Sequence, residues 1–565
     1  MTKTDDTARV DRRDLFSLAA AAATAGVLGA GRARADDPQV AHIGQAAQGA
    51  GIPTPSPVVR TRSGPVQGLV DRGVCAFKGI PYGAPPIGRL RWTPPQPARP
   101  WTAAYDASDF GAPAMQMAGG ASLEASNDFG FQMHQVFTTP SEMKVMNEDC
   151  LYLNVWTPAP DAKRRPVMVW IHGGGFAYGS GAQPIYQGDG LARAQDVVAV
   201  SVNHRLNVFG YLDLSKAMGA DYASSGTVGM QDLVLALQWV RDNIAEFGGD
   251  PDNVMIMGQS GGGAKVSILL SMESAKGLFH KAAIQSGPGL AVGRKAAAEA
   301  TTDKVLAALG VAAGDIQALQ AIPGPMILEA AAKAGGMGFS PILDSVAITR
   351  DPFSPDGPAV SADVPILVGW CKDEWTIFDA NEPWFGRMTD AELETRVAPL
   401  GDPGRRLLAA FRKAYPTYSP TYLWIQMISS RMMAGSEILA SRKAAQGGAP
   451  AFVYMMTWDT PAADGIFKCP HTMEIPFMLY SYDKVRTFVG EGPGPAHMAA
   501  QIGGAWAAFA RTGRPDHPGI PHWPAWDAQQ RPVMVFNTES RVVNDPLAEV
   551  RAALEAMPAA MTLRG

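Results

Sequence analysis

Five residues, Gly258-Gln259-Ser260-Gly261-Gly262, set one serine between glycines at the end of an apolar run, NVMIMGQ (253–259). A serine hydroxyl is a weak nucleophile until a neighbouring base takes its proton. A tight turn from strand to helix exposes that oxygen, and the flanking glycines allow the strained backbone and close packing such a turn needs. The stretch that follows, AKVSILLSM (264–272), is compatible with a helix. A bare Gly-x-Ser-x-Gly arises often by chance, so the run before it and the helical stretch after it carry the weight. A second cluster, His172-Gly173-Gly174-Gly175-Phe176, begins where another apolar run, RPVMVWIH (165–172), ends. A glycine run can be a flexible loop and nothing more. Directly after a strand it suits an oxyanion loop, because glycine lets a carbonyl approach backbone N–H groups. On that reading the N–H groups of Gly174, Gly175 and Gly261 hold the oxyanion of a tetrahedral intermediate, each worth about 3 kcal/mol of barrier. The implied chemistry is acyl transfer.

Such a serine needs an orienting acid and a base, in the chain order Ser, acid, His. Beyond Ser260 the histidines are His280, His471, His497, His517 and His522. His280 stands in a helix-like stretch too soon after the serine. The last three follow Pro-rich turns or sit in the terminal helix. His471 comes in a loop after the apolar run AFVYMMTW (451–458), where a base would be presented. Asp373 and Glu374 both follow ILVGW (366–370), and position alone does not separate them.

These residues need a frame. The four runs just named, with DVVAVSVN (196–203), are continuous apolar segments that suit strands buried on both faces of a parallel sheet. Helical patterns lie between them. In MQDLVLALQWVRDNIAEF (230–247), Leu233, Leu237, Val240, Ile244 and Phe247 line one helix face. Alternating strands and helices predict an α/β fold with helices covering a large, mostly parallel sheet. The Ala-rich stretch around 290–445 is expected to supply helical insertions forming a cap, within a single domain spanning 59–565. The segment 113–146 is loop-like and holds Met115, Met117, Met133, Met143 and Met146. It reads as a surface insertion or as the adaptable wall of an apolar pocket, with Phe176 and Tyr178 as further candidates for that wall.

Composition bounds the rest. The chain has 565 residues, 47% hydrophobic and 18% charged, with net charge -5 and no basic stripe. This argues against a nucleic-acid partner. Residues 1–35 read as an export signal: Arg12-Arg13, an apolar run from Leu15 to Ala30, and Ala33-Arg34-Ala35 before Asp36. The paired arginines resemble a twin-arginine signal, which implies a periplasmic or secreted protein. The apolar run is too short to span a bilayer, so no stable membrane insertion is expected after cleavage. Residues 36–58 read as a flexible leader. The four cysteines, Cys75, Cys150, Cys371 and Cys469, allow several disulfide pairings that spacing does not resolve.

Longer motifs resemble the type-B carboxylesterases, relatives of the cholinesterases within the α/β-hydrolase fold. FKGIPYGAPPIGRLRW (77–92), NEDCLYLNVWTP (147–158) and FGGDPDNVMIMGQSGGG (247–263) resemble three family signatures. SVNHRLNVFGYL (201–212), GMQDLVLALQWVRDNIAEFGGDP (229–251), FSPILD (339–344) and WAAFARTGRP (506–515) fit as well. The resemblance implies a Ser-His-Glu triad. GWCKDEW (369–375) aligns with the family's acid segment and selects Glu374; HTMEIPFML (471–479) aligns with its histidine segment and selects His471. It further implies a carboxylic ester hydrolase on small-molecule esters, with neither metal nor organic cofactor. A lipase acting on longer acyl esters and a non-catalytic binding protein are the alternatives. The chain departs from the family at Gln259, usually Glu, at Gly261, commonly Ala, and at Trp375, usually Gly. Many relatives tie the cysteine equivalent to Cys150 to an upstream cysteine. Met115 stands in that place here, so the resemblance leaves Cys150 as a candidate free thiol.

Overall fold

The computed structural model describes residues 52–117, 145–335 and 338–557. The expected signal segment, most of the leader, and Met133 and Met143 of the methionine-rich segment lie outside the described residues. The strands, in chain order, are β1 (Thr54–Pro55), β2 (Val59–Thr61), β3 (Gly64–Gln67), β4 (Leu69–Asp71) and β5 (Val74–Pro81). Then come β6 (Tyr105–Asp106), β7 (Tyr152–Thr157), β8 (Arg165–Ile171), β9 (Val198–Val202) and β10 (Gly249–Gln259). The last are β11 (Lys281–Gln285), β12 (Ile366–Cys371), β13 (Ala451–Met456), β14 (Pro532–Phe536) and β15 (Arg541–Asn544).

Among the described residues twelve strands form one sheet in the order β1-β4-β5-β7-β9-β8-β10-β11-β12-β13-β14-β15, and β2, β3 and β6 form a small second sheet. From β9 to β14 every neighbouring pair is parallel. Antiparallel strands complete both edges. The apolar runs became strands of this parallel centre because every residue of β9, β12 and β13 is buried, as two covered faces require. The amphipathic pattern at 230–247 became the helix Val228–Asn243, continued by a 3-10 turn, Ile244–Phe247.

Register carries the strand ends to one place. Ile171 of β8 pairs with Gly258 of β10, Gln259 pairs with Gln285 of β11, and Cys371 of β12 pairs with Met456 of β13. The loops after β8, β10, β12 and β13 therefore all leave the C-terminal end of one parallel sheet, where such sheets bind ligands.

Two expectations need correction and one refinement. The stretch 281–285 is not helical: it is β11, and His280 stands at its start, accepting the Val254 N–H on Nδ1 at 3.1 Å. Alanine-rich and five residues long, the segment has no periodicity to betray a central strand. The stretch 290–445 supplies helices, as expected, but it also holds a central strand as an interruption. Helices Lys295–Leu309 and Gly324–Gly335 precede β12, a central strand; Asp390–Val397, Gly401–Ala414 and Pro420–Gln446 follow it. The helix Pro420–Gln446 packs against β12 and β13. Finally, ordered structure begins before residue 59, because β1 pairs Thr54 with Val70 and Pro55 with Leu69.

The signature motifs knit the frame. Arg91 donates from Nε to Glu148 Oε2 at 2.6 Å and from Nη1 to the carbonyls of Gln320 (2.8 Å) and Ile322 (2.7 Å). The Tyr82 hydroxyl donates to the Asn203 carbonyl (2.7 Å), and Arg205 forms a buried fork with Asp232 (Nε to Oδ2, 2.9 Å). Buried ions held this way have their hydrogen-bonding capacity met.

Candidate active site

Ser260 sits between β10 and the helix Gly261–Leu269 with φ 58° and ψ −125°. A non-glycine residue at positive φ is costly and persists where its surroundings over-determine it. Its N–H donates to the Gln285 carbonyl of β11 at 2.8 Å, and its own carbonyl accepts from Ala264 N at 3.0 Å. The flanking glycines are steric necessities. A Cβ on Gly258 would come within 2.6 Å of the Gly262 backbone, and one on Gly262 within 2.1 Å of the Ile171 carbonyl. Ser260 is half-buried.

His471 and Glu374 meet as the aligned segments implied. Nδ1 of His471 hydrogen-bonds Glu374 Oε2, and both residues are buried. Glu374 Oε1 accepts the Cys371 N–H at 2.8 Å, and the His471 N–H donates to the Glu374 carbonyl at 3.3 Å. Asp373 does something else. Its carboxylate accepts from Gln426 Nε2 (2.7 Å), the Tyr418 hydroxyl (3.1 Å) and the Cys469 N–H (3.1 Å), with Lys372 Nζ at 3.5 Å. It clamps the loop after β12 to the loop before His471, and so the adjacent glutamate is the one free to reach the imidazole. The other downstream histidines are elsewhere: His497 bonds the Thr538 carbonyl, His517 that of Gln501, and His522 the Asp516 carboxylate.

The far nitrogen of the imidazole has a partner that sequence reasoning did not foresee. His471 Nε2 lies 3.0 Å from Gln259 Nε2. With Nδ1 donating to Glu374, Nε2 is an acceptor, and the Gln259 amide donates to it. The unusual glutamine before the serine thus touches the nitrogen that would receive the serine proton. The Phe378 ring lies 5.2 Å from the imidazole, and Trp375 lies 5.3 Å beyond, under the Arg431 guanidinium. Trp375, where the family has glycine, therefore extends an aromatic wall beside His471.

The glycine loop lies against the nucleophile turn. Gly174 (φ 81°) and Gly175 (φ 59°) occupy the left-handed region. A Cβ on Gly173 would stand 3.4 Å from Ser260 Cβ; one on Gly261 would stand 2.1 Å from the Gly175 carbonyl oxygen. Gly261 is thus required by close approach of the two loops. Gly175 is exposed and a Cβ there would meet nothing, so the loop opens on that side. Beneath it, His172 stacks on His204 with centroids 4.8 Å apart. Burial, then the nearby Lys265 ammonium, lowers the His172 pKa to about 3, which keeps that ring neutral. Lys265 was also missed; its only sequence signal is a charge inside an apolar helical stretch. Phe176 turns partly inward, its ring 5.3 Å from Tyr211 and 5.2 Å from Lys265 Nζ.

The first residues of the methionine-rich segment join this neighbourhood. Gln116 Nε2 donates to the Gly179 carbonyl (3.0 Å), whose N–H returns to Gln116 Oε1 (2.8 Å). Met115 and Cys150 line one small cavity, and all four cysteines are buried free thiols.

The chain is similar to known esterases over almost the whole of this structure. The Carboxylesterase family model matches residues 55–555. Para-nitrobenzyl esterase of Bacillus subtilis is 32% identical over 509 residues, 88% of this chain and 98% of that protein. The crystal structure of a Geobacillus stearothermophilus carboxylesterase superposes with TM-score 0.77 at 36% identity, covering 88% of this chain and 99% of that one. An esterase from Clostridium hathewayi described as hydrolysing aliphatic aromatic polyesters gives TM-score 0.71 at 31% identity, covering 89% and 98%. A strand-ended serine turn, a glycine loop and a glutamate-held histidine on one parallel sheet agree with this likeness, and the chain belongs to the carboxylesterase family, serine hydrolases of the α/β-hydrolase fold that cleave carboxylic esters.

Proposed function

We propose that the enzyme hydrolyses small to medium hydrophobic esters through an acyl-enzyme on Ser260, with His471 as general base and Glu374 as its orienting acid. The observation that carries the reading is the Glu374–His471 hydrogen bond on Nδ1. It fixes the tautomer whose Nε2 is a proton acceptor and stabilises the imidazolium that forms. In the resting site that acceptor is engaged by Gln259. As an ester enters, the amide yields Nε2 to the Ser260 hydroxyl. His471 takes the proton while Ser260 Oγ attacks the carbonyl carbon. The N–H groups of Gly174, Gly175 and Gly261 receive the oxyanion, a reading supported by the close approach of the glycine loop to the nucleophile turn. The imidazolium then protonates the leaving alcohol, and water cleaves the acyl-enzyme by the same route in reverse roles.

A hydrophobic alcohol or acyl portion is supported by the Phe378–Trp375 wall beside His471. The para-nitrobenzyl esterase and polyester-hydrolysing relatives support it too. The test is Ser260→Ala with p-nitrophenyl acetate and butyrate, together with organophosphate labelling and peptide mass analysis. The variant is expected to lose at least about 10³-fold in kcat and all labelling. Retained activity, or a label on another serine, refutes the assignment. We also propose twin-arginine export with cleavage after Ala35; an intact N-terminus on enzyme recovered from the producing cell's periplasm or medium refutes it.

A further inference from the structure

The helix that opens at the nucleophile turn carries Lys265, whose side chain is 0% exposed. Its Nζ donates to the Gly175 carbonyl at 2.8 Å and to the His172 carbonyl at 3.2 Å, and lies 5.2 Å from the Phe176 ring centroid. Those two carbonyls stand at the two ends of the glycine loop. Among the described residues, the titratable groups facing the ammonium are His172, from that loop, and His204, from the loop after β9; burial first, and then the lysine's own charge, depresses both their pKa values. Both rings are therefore neutral, and among the described residues no carboxylate pairs with the lysine. Burial alone lowers the Lys265 pKa to about 7. A buried cation with no carboxylate partner is costly to desolvate, so its presence directly beneath the glycine loop calls for a function.

We propose that Lys265 is the positioning residue of the oxyanion loop. This rests on the reading of Gly174, Gly175 and Gly261 as oxyanion donors. Three consecutive glycines carry more backbone freedom than any other tripeptide, and holding them still costs more conformational entropy than for any other residues. Lys265 meets that cost at both ends by fixing the carbonyls that bracket the turn. Its donors thereby set the N–H groups of Gly174 and Gly175 against that of Gly261. Lys265 and Gly261 form a matched pair: the Gly175 oxygen that the lysine holds is the same atom that would collide with a Cβ on residue 261.

The experiment compares Lys265→Met with wild type on p-nitrophenyl acetate, counting active enzyme by stoichiometric organophosphate titration of the nucleophile. A loop held out of place lowers kcat per titrated site, by at least about 30-fold, while KM stays within about threefold. Lys265→Gln, which keeps one amide donor, is expected to fall between the two and serves if the methionine variant folds poorly. Gly261→Ala is then made in both backgrounds. Its cost in kcat is expected to be at least about fivefold smaller beside Lys265→Met, because the Gly175 carbonyl is no longer pinned. A purely structural lysine lowers the titratable fraction or Tm and leaves kcat per site within threefold; that result, or strict additivity in the cycle, overturns the proposal. A Ser260→Ala variant that stays active, or organophosphate on another serine, overturns the underlying mechanism and is read separately from the lysine result.

Discussion

Gly261→Ala is the sharpest test of the site geometry, because it moves the chain toward the alanine common among its relatives. In most proteins a substitution toward the family's usual residue is neutral or stabilising. Here the added methyl carbon would stand 2.1 Å from the Gly175 oxygen and 2.5 Å from the Gly175 Cα and carbonyl carbon. Ordinary contact of a Cβ begins at 3.4 Å, so something must give by about 1 Å. The helix Gly261–Leu269 is buried along its length, whereas Gly175 borders open space. The glycine loop is the side that yields. A misplacement of about 1 Å costs about 10²-fold, and loss of one oxyanion donor about 10²–10³-fold. The expected result is a kcat about 100-fold below wild type, about 2.7 kcal/mol, with KM little changed. The assay is p-nitrophenyl acetate hydrolysis per titrated active site, with Tm measured in parallel. A kcat within threefold of wild type would show that the loops are not in the contact described, and the reasoning fails.

Other expectations follow from single contacts. Gln259→Glu replaces an amide donor on His471 Nε2 with a carboxylate that can only accept. Losing that donor removes the contact that engages the far imidazole nitrogen, and kcat/KM should fall by about tenfold; an unchanged kcat/KM refutes the contact. Asp373→Ala strips the partner from Gln426, Tyr418 and the Cys469 N–H. Urea unfolding should show a loss of about 3 kcal/mol, and a loss below 1 kcal/mol would show that the clamp is dispensable. Lys265 is charged in the unfolded chain up to its ordinary pKa of 10.5, but in the fold only up to about 7. The unfolded state therefore binds more protons between those values, and this group makes stability rise with pH there. The Tm of Lys265→Met minus that of wild type should move in the negative direction from pH 6 to pH 9, because only the wild type gains stability from this group; a constant difference would contradict the buried charge. Finally, the four buried thiols should resist a water-soluble thiol reagent in the native enzyme and all react after denaturation.

Much of this protein is legible in its sequence. Short runs apolar on both faces and bounded by turn residues suit strands of a covered sheet, so β8, β9, β10, β12 and β13 announce themselves. A glycine pattern at a strand end has few structural uses, so the nucleophile turn and the facing loop are marked locally. What short-range pattern does not carry is partnership. Strand β11 is too short and too rich in alanine to show its type, yet its Gln285 carbonyl holds Ser260 in place. Asp373 and Glu374 are adjacent and chemically alike. The family motif pointed to Glu374, and the fold supplies the physical reason, since Gln426 and Tyr418 reach the loop from a distant helix and its flank and occupy the aspartate. In the sequence Gln259 stands as a departure from family habit, and Lys265 draws no notice. Only the packing of loop on turn puts one on the imidazole and the other under the glycines. The sequence by itself determined which chemistry the chain carries, because nucleophile and loop signals are local. The tertiary structure decided which neighbours hold those groups, because hydrogen-bond partners are set by strand register and by side chains far apart in the chain.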